Sequence, residues 1–237
     1  MISHKFRAIF VHVPKTGGQS IDQVFLRLHG LTWKTRGALL LRHNPDPALG
    51  PERLAHLKAP EYASLGYVDA AVFESYFKFA FVRNPWDRLV SEYHFRRLHA
   101  EKSFATFVDE SFAALDDYSD RSRHIVPQTE FVTDETGRIN VDFIGRFETL
   151  ADDFARIADR LGLGSVDLGH FNRSGRRGII PGRLIGQFAR RSQPPRSRRL
   201  EDYYDSRLRE RVGEFYAEDI ARFGYDFDGS IGKDAIA

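Results

Sequence analysis

From Phe10 to Ile21 the chain reads FVHVPKTGGQSI. An apolar run stops at a proline, then lysine, threonine and two glycines lead straight into a helical pattern. That order demands a buried strand turning within a few residues into a helix with an open first turn. A helix amino terminus presents unpaired N–H groups and the positive end of the dipole, so it attracts anions. Glycines let the backbone wrap closely around a phosphate, because no Cβ intervenes and positive φ is accessible. Lys15 adds a mobile charge, and Thr16, Gln19 and Ser20 offer hydrogen-bonding side chains. The passage reads as a phosphate cradle; the plainer alternative is a tight turn with a solvated lysine. It is not the nucleoside-triphosphate loop G-x-x-x-x-G-K-[ST], since the lysine precedes the glycines and no paired acidic strand for magnesium is evident.

The rest of the chain alternates strand and helix signals. Phe6 to Val13, FKFAFVRN and NVDFIGRFE read as strands, short and rich in β-branched and aromatic residues. Ile21, Val24, Phe25 and Leu28 fall at helical spacing, with Gly30 as the stop. Asn84, Pro85 and Asp87 supply an N-cap, an N1 proline and an early acid for a helix that turns Leu89, Val90 and Tyr93 inward. Pro51 to Gly66 includes a short helix, and Ser103 caps another that runs to about Ala114. Leu150, Phe154, Ile157 and Leu161 share one face of a further helix. A last one, about Asp205 to Phe223, buries Leu208, Val212, Phe215, Tyr216 and Ile220. This alternation predicts an α/β fold: an open, mostly parallel central sheet flanked by helices. With no internal repeat and no clear linker, residues 1–237 read as a single domain.

Charge is unevenly spread. Between Arg173 and Arg199 stand nine arginines and no acid, so the formal net charge of +2 leaves about −7 (+2 minus +9) for the remainder. A basic block in an acidic body points to an anionic ligand more than to general nucleic-acid affinity, and SQPPRSRR marks it as a long loop or flap over about 173–199. The absence of cysteine excludes disulfides, thiolate metal sites and a cysteine nucleophile. The opening MISHKFRAIFVHVPK is too short in its apolar run for a membrane span and lacks a signal-peptide pattern. The expected location is cytoplasmic.

A second motif sharpens the reading. FVRNPWDRLVSEYHF places Arg83 at a strand end and Ser91 eight residues later, about two turns into the next helix. Together with HVPKTGGQS this resembles the sulfotransferases that use 3′-phosphoadenosine 5′-phosphosulfate (PAPS), most closely the family-2 group that includes carbohydrate sulfotransferases and many bacterial proteins. HIVPQ, DFIGRFETLADDF, HFNRS and FYAEDIARFGYDF resemble later blocks of that group in the same order, so the likeness spans most of the chain. It implies a P-loop-like sulfotransferase fold in which Lys15, Thr16, Gly17, Gly18, Gln19 and Ser20 hold the 5′-phosphosulfate. It implies too that Arg83 and Ser91 bind the 3′-phosphate, with Arg173 and Ser174 as further candidates. A guanidinium fork and a hydroxyl suit a terminal phosphate; the competing role for Arg83 is an ion pair with Asp87 or Glu92.

The reaction implied is in-line sulfuryl transfer from PAPS to an acceptor, expected to be a saccharide or glycoconjugate hydroxyl. Lys15 would neutralise the leaving oxygen. Among nine histidines, His56 in RLAHLKAPEY resembles the one that serves as base in relatives. His124 is expected to line the acceptor site, His12 to be a core histidine, and His94 and His99 to lie on exposed helix faces. The paired acids at 116–117 and 152–153 read as solvated helix surface, and no metal is expected. Two other classes fit parts of the pattern: a P-loop-like nucleotide kinase, and a non-catalytic polyanion-binding module built on the arginine block.

Overall fold

A computed structural model of the chain describes residues 1–164, 166, 168 and 199–230. The expected flap, with Arg173 and Ser174, lies outside these residues except at its end, Arg199. The strands are β1 (Ile2–Ser3), β2 (Ala8–Val11), β3 (Phe77–Val82) and β4 (Phe143–Arg146). The helices are α1 (Gly18–Leu28), α2 (Glu61–Ser64), α3 (Ala70–Ser75), α4 (Pro85–Phe95), α5 (Phe104–Ala113), α6 (Asp120–Arg123), α7 (Thr129–Val132), α8 (Leu150–Leu161), α9 (Ser206–Phe215) and α10 (Ala217–Phe223). No helix among the described residues is long and apolar enough to cross a membrane.

The strands lie in the order β1-β2-β3-β4, with β2, β3 and β4 parallel and β1 antiparallel at the edge. This is the expected α/β sheet with helices on both faces. Alternation along β2 and β3 sorts the core. Ile9, Val11, Ala80 and Val82 meet Tyr62, Phe131 and Phe223 on one face. Ala8, Phe10, Phe79 and Phe81 meet Phe25 of α1 and Phe154 of α8 on the other. Burial on both faces explains why these strands read as continuous apolar runs. Leu89, Val90 and Tyr93 of α4 point inward as expected, against α5 and α9.

Two expectations change in detail. Strand β2 is shorter than Phe6 to Val13, because Val13 already turns back, its N–H donating to Val11 O. The last helix is broken at Tyr216, whose hydroxyl donates to Ile125 O at 2.5 Å. The break swings Asp219 inward, and Phe215 and Ile220 end only half-buried. Asp219 is fully buried and accepts the N–H groups of Gln128 and Thr129, both at 2.8 Å.

That bond sets the functional edge. Gln128 itself is buried and clips the end of β3: Arg83 N–H donates to its Oε1 at 2.9 Å, and its Nε2 donates to Arg83 O at 2.8 Å. Gln128→Ala strands both backbone groups in the interior and leaves a cavity. It should lower unfolding free energy by about 2–4 kcal/mol; urea titration measures this, and a midpoint equal to wild type would remove the clip from the account.

Candidate active site

Parallel strands β2 and β3 end side by side, Val11 opposite Ala80, so the loops after them share one edge of the sheet. Ligands of open α/β sheets bind at this carboxyl edge. The two loops touch: Arg83 Nη1 donates to the carbonyl of Lys15 at 3.1 Å.

The first corner is shaped by its glycines. Lys15 has φ of 71°, a left-handed conformation uncommon outside glycine, and Gly17 follows at 86°. Gly18 is needed for another reason. A Cβ there would fall well under 3.0 Å from the His12 ring, which packs flat against the helix start. Thr16 is fully buried and spends its hydroxyl on Val13 O at 2.8 Å, which ties the loop. Gln19 is exposed and Ser20 half-buried. Among the described residues no side chain caps α1, and its first turn holds no acid. Helix α4 differs: Asn84 accepts the N–H of Trp86 at 3.1 Å, and Asp87 sits in the first turn. The start of α1 is therefore the end that still offers N–H groups and positive dipole to an anion.

The second corner is more heavily braced than its sequence reveals. Arg83 donates through Nε and Nη2 to Asp87 Oδ2, at 2.8 and 2.5 Å, and its guanidinium stacks on Phe147 at 4.1 Å. The ion pair with Asp87 is thus present. Of five guanidinium N–H groups, these bonds and that to Lys15 O use three among the described residues. Ser91 stands two turns along α4, half-buried. Arg88 of the same helix is almost wholly enclosed. It donates to Pro14 O at 3.2 Å, Val126 O at 3.0 Å and His124 O at 3.0 Å, and so joins the first corner to HIVPQ.

Behind Lys15 the histidines form a wall. His12, expected as a core residue, is buried, and its Nδ1 lies 3.1 Å from Asp22 Oδ2 without the alignment of a hydrogen bond. His56 is also buried and Nδ1–H donates to His12 O at 3.1 Å. The His56 ring meets His12 and His124 edge to face, at 4.9 and 5.1 Å. His124 Nδ1 hydrogen-bonds Glu92 Oε2 at 2.7 Å. The structure therefore gathers Lys15, Arg83, His56 and His124 along one edge. Lys15 Nζ lies 3.7 Å from the centre of the Phe95 ring, which is 55% exposed and stacks on His124 at 5.8 Å. His94 departs from expectation: it is half-buried and bonded to the Tyr203 hydroxyl at 2.6 Å, while His99 is exposed.

Burial dominates the proton affinities. It pushes His56 well below its ordinary value, helped by His12 and His124. His124 is also lowered by burial, against the pull of Glu92. For Glu92 burial works upward, but hydrogen bonds and charge from His124 and then Arg96 hold it at about 2. His56, Asp120 and His124 bring ligand-capable atoms within 4.8 Å of one another. Asp120, however, already faces Arg53 and Arg96, each at 3.0 Å. Two guanidiniums on its carboxylate make this a poor host for a dication.

Glu92, Arg88, Gln128 and Phe95 escape a reading by motif. The repeat of Arg83, Asp87, Arg88, Ser91, Glu92 and Phe95 at three- and four-residue steps along one helix was the signal available.

Two outcomes follow. Gly18→Ala drives a methyl into His12 and should cost about 1–3 kcal/mol of stability along with anion affinity at the loop; unchanged thermal unfolding would show that the ring yields freely. Because His56 and His124 bind protons less well folded than unfolded, the unfolded chain gains protons first as pH falls below 6.5. Their contribution is complete above that value and lost as pH drops from it toward the folded-state values, whereas that of Glu92 fades only below 4.5. The denaturation midpoint should fall between about pH 7.5 and 5.5, and less so in His56→Gln; equal slopes would contradict a buried neutral imidazole.

Among known proteins, a family model described as "Sulfotransferase family" matches residues 1–226. An uncharacterized protein of Archaeoglobus fulgidus is 31% identical over 111 residues, covering 44% of this chain and 82% of that one. No solved structure matches the chain. With the match running through both corners, the histidine wall and α10, the chain belongs to the family-2 sulfotransferases.

Proposed function

We propose that the protein moves the sulfuryl group of PAPS onto an acceptor hydroxyl by in-line displacement. The observation that carries this reading is the contact between the two corners, Arg83 Nη1 to Lys15 O at 3.1 Å. It sets the start of α1 beside the Arg83 guanidinium. One adenosine bearing phosphates at 5′ and 3′ spans such a pair of anion sites. Residues 15–20 take the 5′-phosphosulfate, and Arg83 with Ser91 takes the 3′-phosphate. Arg173 and Ser174 are carried along from the resemblance, outside the described residues.

In this reading the chain aligns the reactants and neutralises charge on the leaving phosphate oxygen. Lys15 serves that second task, since its backbone is held at the cradle and its side chain reaches along the same edge to Phe95. A unit charge pair at about 4 Å is worth about 4 kcal/mol at an effective dielectric of about 20, and only the part gained in the transition state accelerates the reaction. His56 is the base favoured by resemblance and His124 lines the acceptor side. The family's acceptors support a saccharide or glycoconjugate hydroxyl.

Calorimetric titration with adenosine 3′,5′-bisphosphate, beside ATP–Mg²⁺, tests the donor. Tight binding of the bisphosphate and weak binding of ATP is the expected result; the reverse order would favour a kinase. Once an acceptor is found with labelled donor, Lys15→Ala should lower turnover by about 10²–10³; a fall of about 10²–10⁴ in His56→Ala with bisphosphate affinity kept marks His56 as the base, and an unchanged rate moves that role to His124. Wild-type turnover in Lys15→Ala would refute its role.

A further inference from the structure

Transfer to a hydroxyl leaves a proton to be placed, and the two site imidazoles differ in what they offer it. His56 is hydrogen-bonded to a carbonyl, His124 to a carboxylate, at 3.1 and 2.7 Å. In both, the ring proton sits on Nδ1, which leaves Nε2 as the basic nitrogen. His124 Nε2 has a second acid in reach, Asp120 Oδ1 at 3.5 Å. We propose that the acceptor's proton comes to rest on Nε2 of His124, with Glu92 as the positioning residue that fixes the Nδ1–H tautomer and balances the imidazolium. This deepens the PAPS reading above and rests on it.

The step balances. The acceptor O–H bond breaks and its proton bonds to His124 Nε2, while the oxygen's electron pair forms the new O–S bond. The bridging S–O bond breaks, and its pair leaves on the 5′-phosphate oxygen of the bisphosphate beside Lys15. Charge around the new imidazolium favours it. Glu92 is the nearest group, 1% exposed and aimed at Nδ1. Arg96 braces the acids by binding Glu92 Oε1 at 2.6 Å and Asp120 Oδ2 at 3.0 Å. Arg53 lies on the far acid, 3.0 Å from Asp120 Oδ1. Arg88 holds the His124 backbone carbonyl, and the His56 ring closes the remaining side. At His56 burial opposes a proton first, then the charges of His12, His124 and Arg53, while the hydrogen bond to the His12 carbonyl favours it. At His124 burial and, more weakly, Arg96 oppose it, but Glu92 and then Asp120 favour it.

Geometry around α4 fits this division. Glu92 bonds His124, and half-exposed Phe95 covers both Lys15 and His124. One helix thereby sets donor and proton acceptor in register. A base held by an adjacent oriented carboxylate keeps one tautomer through the reaction.

Histidine-selective ¹⁵N NMR of the whole chain, titrated with acid, decides the matter without an identified acceptor. Wild type should show His124 as the neutral Nδ1–H tautomer near neutral pH and protonating at a higher pH than His56. Glu92→Gln preserves an acceptor for Nδ1–H but removes the charge. It should lower His124's proton affinity by about tenfold or more, a drop of about one pH unit in its midpoint, and leave His56 within a few tenths of a unit. A His56 midpoint above that of His124, or an unmoved His124 midpoint in Glu92→Gln, overturns the proposal; should that variant not fold, the wild-type order and tautomer decide alone. Adding adenosine 3′,5′-bisphosphate in a thermal-shift assay separates the two levels. No shift in wild type would sink the donor reading, whereas a shift with the histidine order reversed would sink only the proton assignment.

Discussion

The guanidinium of Arg83 ties the two corners of the functional edge directly, while Arg88 bonds Pro14 O from α4. The Arg83 group reaches from the end of β3 to the carbonyl of Lys15, which fixes the separation of two loops that leave different strands. Charge-assisted hydrogen bonds of this kind contribute about 1.5–3 kcal/mol each, and only a braced arginine spends its charge so specifically. Asp87 orients the fork from one side, while Gln128 pins the backbone through both its N–H and its C=O. Gln128 is in turn held by Asp219, placed by the break in the last helix. The chain of support runs from a buried carboxylate near the end of the described fold to the loop at Lys15.

Packing and chemistry meet at Gly18. Because it lacks a Cβ, the His12 ring can lie against the start of α1, and the His12 carbonyl then receives Nδ1–H of His56. His56 in turn abuts His124, which Glu92 anchors. The left-handed backbone of Lys15 belongs to the same arrangement: a residue type that resists φ of 71° is kept there by Thr16 on one side and Arg83 on the other, a cost of about 1–3 kcal/mol concentrated where an anion would bind. Local strain, aromatic stacking and hydrogen bonds thus converge on the same sheet edge.

Much of this was legible before any coordinates. The apolar runs at residues 8–11 and 77–82 are buried on both faces, and their composition gives them away as parallel strands. The caps at Asn84 and Ser103 were equally plain, since each side chain accepts the expected backbone N–H. Edge strand β1, two residues long, carries no periodicity to read. Tyr216 breaks its helix because its hydroxyl finds Ile125 O, a contact 91 residues away that no local pattern encodes. At the site, positions 15–20 and Arg83 stand out by their own spacing. Glu92, Arg88 and Gln128 act through partners distant in sequence, so only packing brings them into view. The ion pair of Arg83 with Asp87 had been weighed as a rival to phosphate binding. That ion pair is formed, and it orients the guanidinium.

The central claim is that the corners at Lys15 and Arg83 grip opposite ends of one doubly phosphorylated adenosine. A crystal structure of the protein with adenosine 3′,5′-bisphosphate measures this directly. The account predicts the 5′-phosphate among the backbone N–H groups of residues 17–20 and the 3′-phosphate within hydrogen-bond reach of Arg83 and Ser91. A nucleotide seated elsewhere, or one touching a single corner with Arg83 turned wholly to Asp87, would contradict it.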